Sequence, residues 1–141
     1  MTYAGEDLEV GQVVATGRFG VQRMNLLMYA GASGDFNVIH WNERLATAVG
    51  LPNVIAHGMF TMSQAGRVVT DWVGDPGRVE SFGVRFTKPV VVPDDDHGAH
   101  IDVTATVAEL LGDGRVRLDL IAEVDGVGVL GNATAVVRLP V

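Results

Sequence analysis

The spacing of the apolar residues changes from a helical to a strand period halfway along the chain. Between residues 58 and 73 they recur at steps of three and four, at Met59, Met62, Gly66, Val69 and Val73, with Phe60, Ala65 and Val68 widening the stripe. After the turn signal at 74–77 they recur at every second residue, as in Ile101, Val103, Ala105 and Val107. A sheet with one apolar face must bury that face against another element, and the long apolar helix can cover it. The pattern therefore predicts an α+β fold, a curved antiparallel β-sheet wrapped around a long central helix.

Shorter periodic runs complete the predicted order of elements. We predict strands at Val13–Val21, 82–86, 101–107, Arg115–Val124 and 127–139, helices at 23–32 and 43–49, and hairpin turns at 112–114 and 125–126. In the helix at 23–32, Met24, Leu27, Met28 and Gly31 share one face. No repeat or linker divides the sequence, and a chain of 141 residues suits one domain, so we expect a single domain over 1–141.

Composition excludes several classes of function. The chain has no cysteine, which removes disulfides, thiolate nucleophiles and Cys-ligated metals. Its net charge of −7 argues against a nucleic-acid partner, because such binding depends on phosphate neutralisation by Lys and Arg. The acidic first residues predict no secretory signal, and the longest uncharged span, 45–66, is too polar for a membrane helix. We therefore expect a cytoplasmic protein without membrane insertion.

The stretch YAGASGDFNVIHW, residues 29–41, contains the first candidate site. It places Asp35, Asn37 and His40 within six residues, behind a run of small residues. Asp and Asn are common turn formers, so a plain polar turn is one interpretation. The other is a proton-transfer site, since an imidazole titrates near neutral pH and a carboxylate can orient it or share a water molecule with it. Asn37 could support that carboxylate by hydrogen bonding without adding charge.

A second candidate feature is the start of the long apolar helix, at Gly58. Helix N-termini carry unpaired N–H groups, and a glycine lets a ligand oxygen approach closely. The Gly58 N–H could therefore stabilise a carbonyl that becomes an oxyanion, although the glycine could equally mark only the helix start. Together with an acid–base pair, such a donor would suit proton removal beside a thioester carbonyl, as in a lyase.

The remaining histidines are weaker candidates. We expect His57 to brace the loop or to pack in the core, because a second free imidazole is not needed. His97 and His100 follow Asp94, Asp95 and Asp96, but this run fits a solvated acidic loop better than a metal site. We therefore predict no metal.

The residues at 29–46 resemble the signature of the MaoC-like (R)-specific enoyl hydratases and dehydratases, which have the hot-dog fold. Gly34, Asp35, Asn37, Ile39, His40 and Ala46 match that signature, and Val38 stands where proline is usual. AHGMFTM at 56–62 resembles the second landmark of the family. Within the family, IHW, VVTDWVGDPG and VRFTKPVVVP are most similar to the catalytic β-subunit of actinobacterial (3R)-hydroxyacyl-carrier-protein dehydratases.

The resemblance implies a specific activity. Asp35 and His40 would be the catalytic pair, the Gly58 N–H the oxyanion donor, and Asn37 a support. Family members interconvert (3R)-hydroxyacyl and trans-2-enoyl thioesters of coenzyme A or acyl carrier protein in fatty acid metabolism, and they need no cofactor. Hot-dog chains typically pair, so we expect a homodimer or a heterodimer with a non-catalytic hot-dog subunit.

Several alternatives remain open at this point. A hot-dog thioesterase would use the same pocket for hydrolysis, and a non-catalytic acyl-binding subunit would use it for binding alone. Met59, Met62 and Gly66 are candidates for an acyl tunnel, since small or adaptable side chains suit an apolar chain. Arg67, Arg85 and Lys88 are weak candidates for contacting phosphates of the carrier. Acyl length, carrier, direction and the assignment of acid and base stay undetermined.

Overall fold

The computed structural model describes residues 8–140 of the chain. The first seven residues, on which part of the expectation about a secretory signal rests, and the two ends of the predicted domain 1–141 lie outside this range. No helix within 8–140 is long and apolar enough to cross a membrane.

Within residues 8–140, six strands and three α-helices follow the predicted order. They are β1 Val13–Val21, α1 Arg23–Ser33, α2 Glu43–Ala48, α3 Gly58–Val73, β2 Val79–Phe86, β3 Ala99–Gly112, β4 Arg115–Val124, β5 Val127–Gly128 and β6 Leu130–Arg138. Short 3-10 turns occupy Val38–His40 and Pro76–Arg78. The bounds predicted for β1 and β4 and for the long helix are confirmed to the residue.

The single strand predicted over 127–139 is wrong, because the chain leaves the strand path at Val129. The Val129 N–H donates to the Ala122 carbonyl over 2.9 Å, while its own carbonyl accepts from the N–H groups of Thr87 and Lys88. Since that carbonyl binds a segment outside the ladder, the strand divides into β5 and β6.

All strand pairs are antiparallel. The sheet runs in the order β1-β3-β4-β6-β2, with β5 paired to β4. Both predicted hairpin turns are present, and each places an Asp in the left-handed region, Asp113 at φ 54° and Asp125 at φ 50°. A following glycine with positive φ, Gly114 or Gly126, completes each turn.

The core lies between α3 and the concave face of the sheet. Helix α3 buries Phe60, Thr61, Ala65, Val68, Val69 and Val73, and the sheet contributes the alternating residues of β3, β4 and β6. At Gly17 of β1 an added Cβ would lie 2.8 Å from a Val68 methyl group, so the glycine permits this close approach. The α+β expectation of a sheet around a central helix is confirmed.

Helix α1 does not bury the face that its apolar spacing marks. Leu26 and Ala30 face the core, whereas Met24, Leu27 and Met28 are each more than half exposed. The helical period predicts this helix, but it identifies an apolar face without identifying what covers that face.

Candidate active site

The loop after α1 is built from two consecutive side-chain-capped turns. Helix α1 ends at Gly34, which has φ 77° and donates to the Ala30 carbonyl. The Asp35 carboxylate then accepts the Asn37 N–H over 3.2 Å, and the Asn37 side-chain oxygen accepts the Ile39 N–H over 3.3 Å. The turn interpretation and the site interpretation are thus compatible, because the turns fix where Asp35 and His40 lie.

Asn37 supports the loop differently from what was expected. Its side chain caps the 3-10 turn Val38–His40, and its backbone N–H, not its side-chain amide, binds the Asp35 carboxylate. The hydrogen bond that Asn37 gives to the carboxylate therefore comes from its backbone.

His40 is buried and held by the backbone of Ile55. Its Nδ1 lies 2.7 Å from the Ile55 carbonyl oxygen, and since a carbonyl can only accept, Nδ1 carries the proton. The Ile55 N–H in turn donates to the Ile39 carbonyl over 3.1 Å, which clamps the turn that carries His40. In the neutral ring, Nε2 is then a free acceptor, and it lies 4.0 Å from Oδ2 of Asp35.

The surroundings of His40 favour its neutral form. Burial of the ring lowers the pKa of His40 below its ordinary value of 6.5, and the neighbouring His57 acts in the same direction. The Ile55 carbonyl and the Asp35 carboxylate oppose this lowering without cancelling it. His40 is thus a neutral base at pH 7, beside a carboxyl group whose side chain is 53% exposed.

His57 lies beneath the pair and contacts both members. It is 1% exposed, its Nε2 donates to the Asp35 carbonyl over 3.0 Å, and its ring stacks on that of His40 with centroids 3.8 Å apart. The Tyr29 ring packs against the His57 ring, with centroids 4.7 Å apart. Its Nδ1 is buried without a hydrogen-bond partner among the described residues.

The same three side chains form the one group within 8–140 that brings three possible metal ligands together. Ligand atoms of Asp35, His40 and His57 lie within 4.8 Å of one another. The two imidazole rings are nearly parallel, at 22°, so a metal in the plane of one ring lies well off the plane of the other. This arrangement suits proton transfer better than coordination of one ion by both rings.

The acidic loop at 93–98 forms a turn instead of a ligand cluster. The Asp95 carboxylate accepts the N–H groups of Gly98 and His97, and these hydrogen bonds lower the pKa of Asp95. Since the loop is exposed and its side-chain oxygen is used by its own backbone, it behaves as the solvated loop that was expected.

Helix α3 directs its amino terminus toward the same region. Its first intrahelical hydrogen bond runs from the Thr61 N–H to the His57 carbonyl, so the Gly58 N–H precedes the helical ladder. Gly58 and His40 line one cavity of about 370 Å³. Its other walls are Ile39, Ile55, Ala56, Thr61, Phe86, Thr87, Lys88, Pro89, Val90, Val129 and Leu130.

The candidate tunnel residues lie elsewhere on α3. Among the described residues, the lining of the His40 cavity does not include Met59, Met62 or Gly66. Gly66 lines a second cavity of about 360 Å³ next to Phe82, whose ring would lie 3.0 Å from a Cβ at Gly66. Met59 is 56% exposed and cannot line a closed channel within this chain alone.

An apolar cavity with a buried neutral imidazole, a nearby carboxyl group and a free helix N–H can polarise a carbonyl and move a proton next to it. The sequence indicated each of these groups except the Ile55 carbonyl, which fixes the tautomer of His40. A backbone carbonyl has no side-chain signature, so only the fold could reveal it.

Comparisons with known proteins identify relatives of this chain. A family described as a MaoC-like domain matches residues 7–117. The 3-hydroxybutyryl-CoA dehydratase of Methylorubrum extorquens is 31% identical over 137 residues, covering 96% of this chain and 83% of that protein. The 3-hydroxyacyl-thioester dehydratase X of Mycobacterium tuberculosis is 43% identical over 65 residues, which cover 46% of this chain and 22% of that protein.

Solved structures give the same fold. A protein titled MaoC-like dehydratase superposes with a TM-score of 0.90 and 35% identity, over 96% of this chain and 42% of that chain. The hot-dog architecture expected from the sequence is confirmed. The match spans only about a fifth of the Mycobacterium tuberculosis dehydratase, and the chain covers less than half of the superposed structure.

Proposed function

The chain belongs to the MaoC-like domain family, and on that premise we propose that it is a hydro-lyase, which interconverts (3R)-hydroxyacyl and trans-2-enoyl thioesters. The observation that carries this proposal is that one cavity joins a buried, neutral His40 to the free N–H of Gly58, with the Asp35 carboxyl group 4.0 Å from the imidazole. These are the three groups that addition or removal of water next to a thioester carbonyl requires.

The Gly58 N–H receives the thioester oxygen. As a proton leaves C2, charge accumulates on this oxygen, and a fixed donor at the positive end of α3 stabilises that charge. An added Cβ at Gly58 would lie 3.1 Å from the Phe86 ring, so a larger residue would displace this ring from the cavity wall.

His40 and Asp35 move the protons. In dehydration, Nε2 of His40 takes the C2 proton, and Asp35 gives a proton to the C3 oxygen. The C2–H and C3–O bonds break, the C2=C3 double bond forms and water leaves. The pair holds one proton throughout, which returns from His40 to Asp35 before the next turnover. Hydration runs through the same steps in reverse, and the coupled pair permits the opposite assignment with the same single proton.

The acyl chain extends along the groove between α3 and β2. Gly58, Met62 and Gly66 follow one another at four-residue steps on α3, while the Phe86 and Phe82 rings of β2 rest against the two glycines. Gly58 lines the His40 cavity and Gly66 lines the second cavity, so the two mainly apolar cavities lie about two turns apart on α3. Met59 would contribute only where a second subunit covers its exposed side chain.

A second hot-dog unit completes the functional protein in this proposal, as a homodimer or as a heterodimer with a non-catalytic subunit. Two observations support it. The exposed apolar face of α1 has no cover within residues 8–140, and the superposed structure is more than twice as long as this chain. We propose a cytoplasmic role in fatty acid metabolism for this assembly.

Replacement of Asp35 tests the proposal. Asp35→Asn should lower the rate of crotonyl-CoA hydration by about 10²–10⁴-fold, since the amide cannot exchange a proton with His40. Asp119→Asn, on the exposed face of β4, is the matched control and should keep the wild-type rate. Near-normal turnover of Asp35→Asn would remove Asp35 from the mechanism. Release of free thiol from crotonyl-CoA without hydration of its double bond would show that the protein is a thioesterase and not a hydro-lyase.

A further inference from the structure

One cation at the His40 cavity forms no ion pair with any other residue of 8–140. Lys88, the only lysine of the chain, lines this cavity together with His40 and Gly58. No described residue forms an ion pair with its ammonium group, whereas Arg18, Arg23, Arg67, Arg78, Arg117 and Arg138 each pair with a carboxylate. In a protein of net charge −7, an unpaired cation at a cavity mouth is available for an anionic ligand.

The backbone around Lys88 is fixed while its side chain stays free. The N–H groups of Thr87 and Lys88 both donate to the Val129 carbonyl, at 3.2 and 3.4 Å, and Pro89 follows directly. The same carbonyl interrupts the final strand, so the break in the sheet serves to hold this segment against the cavity. The exposed side chain of Lys88 can then direct its ammonium group to a ligand without a change of the backbone.

The position of Lys88 relative to Gly58 suits the distant end of a thioester. The Phe86 ring rests against Gly58, and Lys88 lies two residues beyond Phe86, past the end of β2. The four-carbon stem of lysine adds further reach. Because Lys88 is exposed and lines the same cavity as Gly58, its ammonium group is accessible to the arm that carries the sulfur when the thioester oxygen binds the Gly58 N–H.

We propose that Lys88 binds a phosphate group of the thioester carrier. The inference rests on the proposed function, because it places the acyl thioester in this cavity. The ligand chemistry is a phosphate attached through a pantetheine arm, which coenzyme A and the prosthetic group of a carrier protein share. Lys88 contributes to binding and leaves the proton transfers to His40 and Asp35.

Thioesters with and without phosphate test this role. Lys88→Gln should raise KM for crotonyl-CoA about three- to ten-fold and Lys88→Glu should raise it further, with kcat nearly unchanged. KM for the crotonyl thioester of N-acetylcysteamine, which has no phosphate, should not change. The difference in KM for crotonyl-CoA between the wild type and the Lys88 variants should become smaller at higher salt, because salt screens the charge. Arg85→Gln is the matched control, since Arg85 is also exposed and without a described ion pair but does not line the cavity.

Direct binding separates this inference from the proposed function. Calorimetry of free coenzyme A, phosphopantetheine and pantetheine with wild-type protein and with Lys88→Glu needs no turnover. Weaker binding of phosphopantetheine to the variant assigns the contact to the phosphate at the end of the arm, and an effect on coenzyme A alone assigns it to the nucleotide. Lys88-dependent binding without any hydratase activity would keep the inference and overturn the proposed function. Equal effects on ligands with and without phosphate, or none at all, would overturn the inference.

Discussion

His57 stacks directly on His40, with ring centroids 3.8 Å apart and planes inclined by 22°. The same ring donates from Nε2 to the Asp35 carbonyl over 3.0 Å. One buried side chain therefore sets both the plane of the imidazole and the position of the loop that carries the carboxyl group. Because His57 reaches no reacting atom in the proposed mechanism, its role is positioning.

Two substitutions at His57 separate the effect of its hydrogen bond from the effect of its stacked ring. His57→Phe keeps a stacked ring but removes the donor to Asp35, so we expect kcat to fall at least about ten-fold with little change in KM. His57→Gln can still donate an amide N–H and should recover part of that loss. Loss of the bond should also cost about 1–2 kcal/mol of unfolding free energy.

Steady-state kinetics at temperatures where both variants are folded, checked by circular dichroism, measure the difference. Wild-type kcat in His57→Phe would show that the stacking and the hydrogen bond do not position the pair.

The buried position of His40 predicts the pH dependence of dehydration. A base must be neutral, and burial lowers the pKa of His40 below 6.5. The rate kcat/KM should therefore stay high as the pH falls through 6.5 and decline only at a lower pH, where the ring becomes protonated. A pH–rate profile with 3-hydroxybutyryl-CoA measures this limb, and an acid limb at or above 6.5 contradicts the assignment.

Stability provides an independent check on His40. Between its lowered folded pKa and 6.5, the unfolded chain binds more protons at this residue than the folded chain does. The contribution of His40 to unfolding free energy is thus fully favourable above 6.5 and declines as the pH falls below that value. His40→Gln should remove this part of the pH dependence in urea titrations.

The spacing of the apolar residues predicted the helices and strands more reliably than it predicted what packs against them. It gave β1, β4 and α3 to the residue, because backbone hydrogen bonding and burial follow the same period in these segments. It did not reveal that the face with Met24 and Met28 is exposed, since the same period arises from a core face and from a face that another subunit covers.

The candidate site, too, was predicted from the sequence only where its residues lie close together along the chain. Asp35 and His40 lie close in sequence, and local turn chemistry brings them together, so a motif was enough to find them. The Ile55 carbonyl lies fifteen residues from His40 and acts through the backbone alone. Its role depends on how the chain returns after α2, which no local pattern encodes.

The contact between Phe82 and Gly66 predicts a limit on acyl length. The Phe82 ring would lie 3.0 Å from a Cβ at Gly66, so it narrows the proposed acyl groove between α3 and β2 at this point. Phe82→Ala should raise kcat/KM for a ten-carbon enoyl-CoA at least about ten-fold relative to crotonyl-CoA, because each accommodated methylene contributes on the order of 1 kcal/mol.

Phe19→Ala is the control for this change, since Phe19 lies on β1 and lines a different cavity, which includes neither Gly66 nor Phe82. An unchanged preference between the two chain lengths in Phe82→Ala would exclude this groove as the acyl path.

Val38 occupies the position where the signature of the family usually has proline, and the local geometry already suits that residue. Asn37, which precedes it, has φ −54° and ψ 128°, the extended conformation that a following proline requires. Val38 is the first residue of the 3-10 turn Val38–His40, and its N–H makes no hydrogen bond to the rest of 8–140. Val38→Pro should therefore raise the unfolding free energy by about 0.4–1 kcal/mol, mainly by restricting the unfolded chain.

The neighbouring position supplies the matched control. The Ile39 N–H donates to the Asn37 side chain, so Ile39→Pro removes a bond that shapes the loop and should destabilise the protein. Thermal melts of both variants and of the wild type measure the contrast, and crotonyl-CoA hydration should persist in Val38→Pro because the turn that carries His40 is unchanged. A lower melting temperature in Val38→Pro would mean that the loop needs conformations that proline forbids.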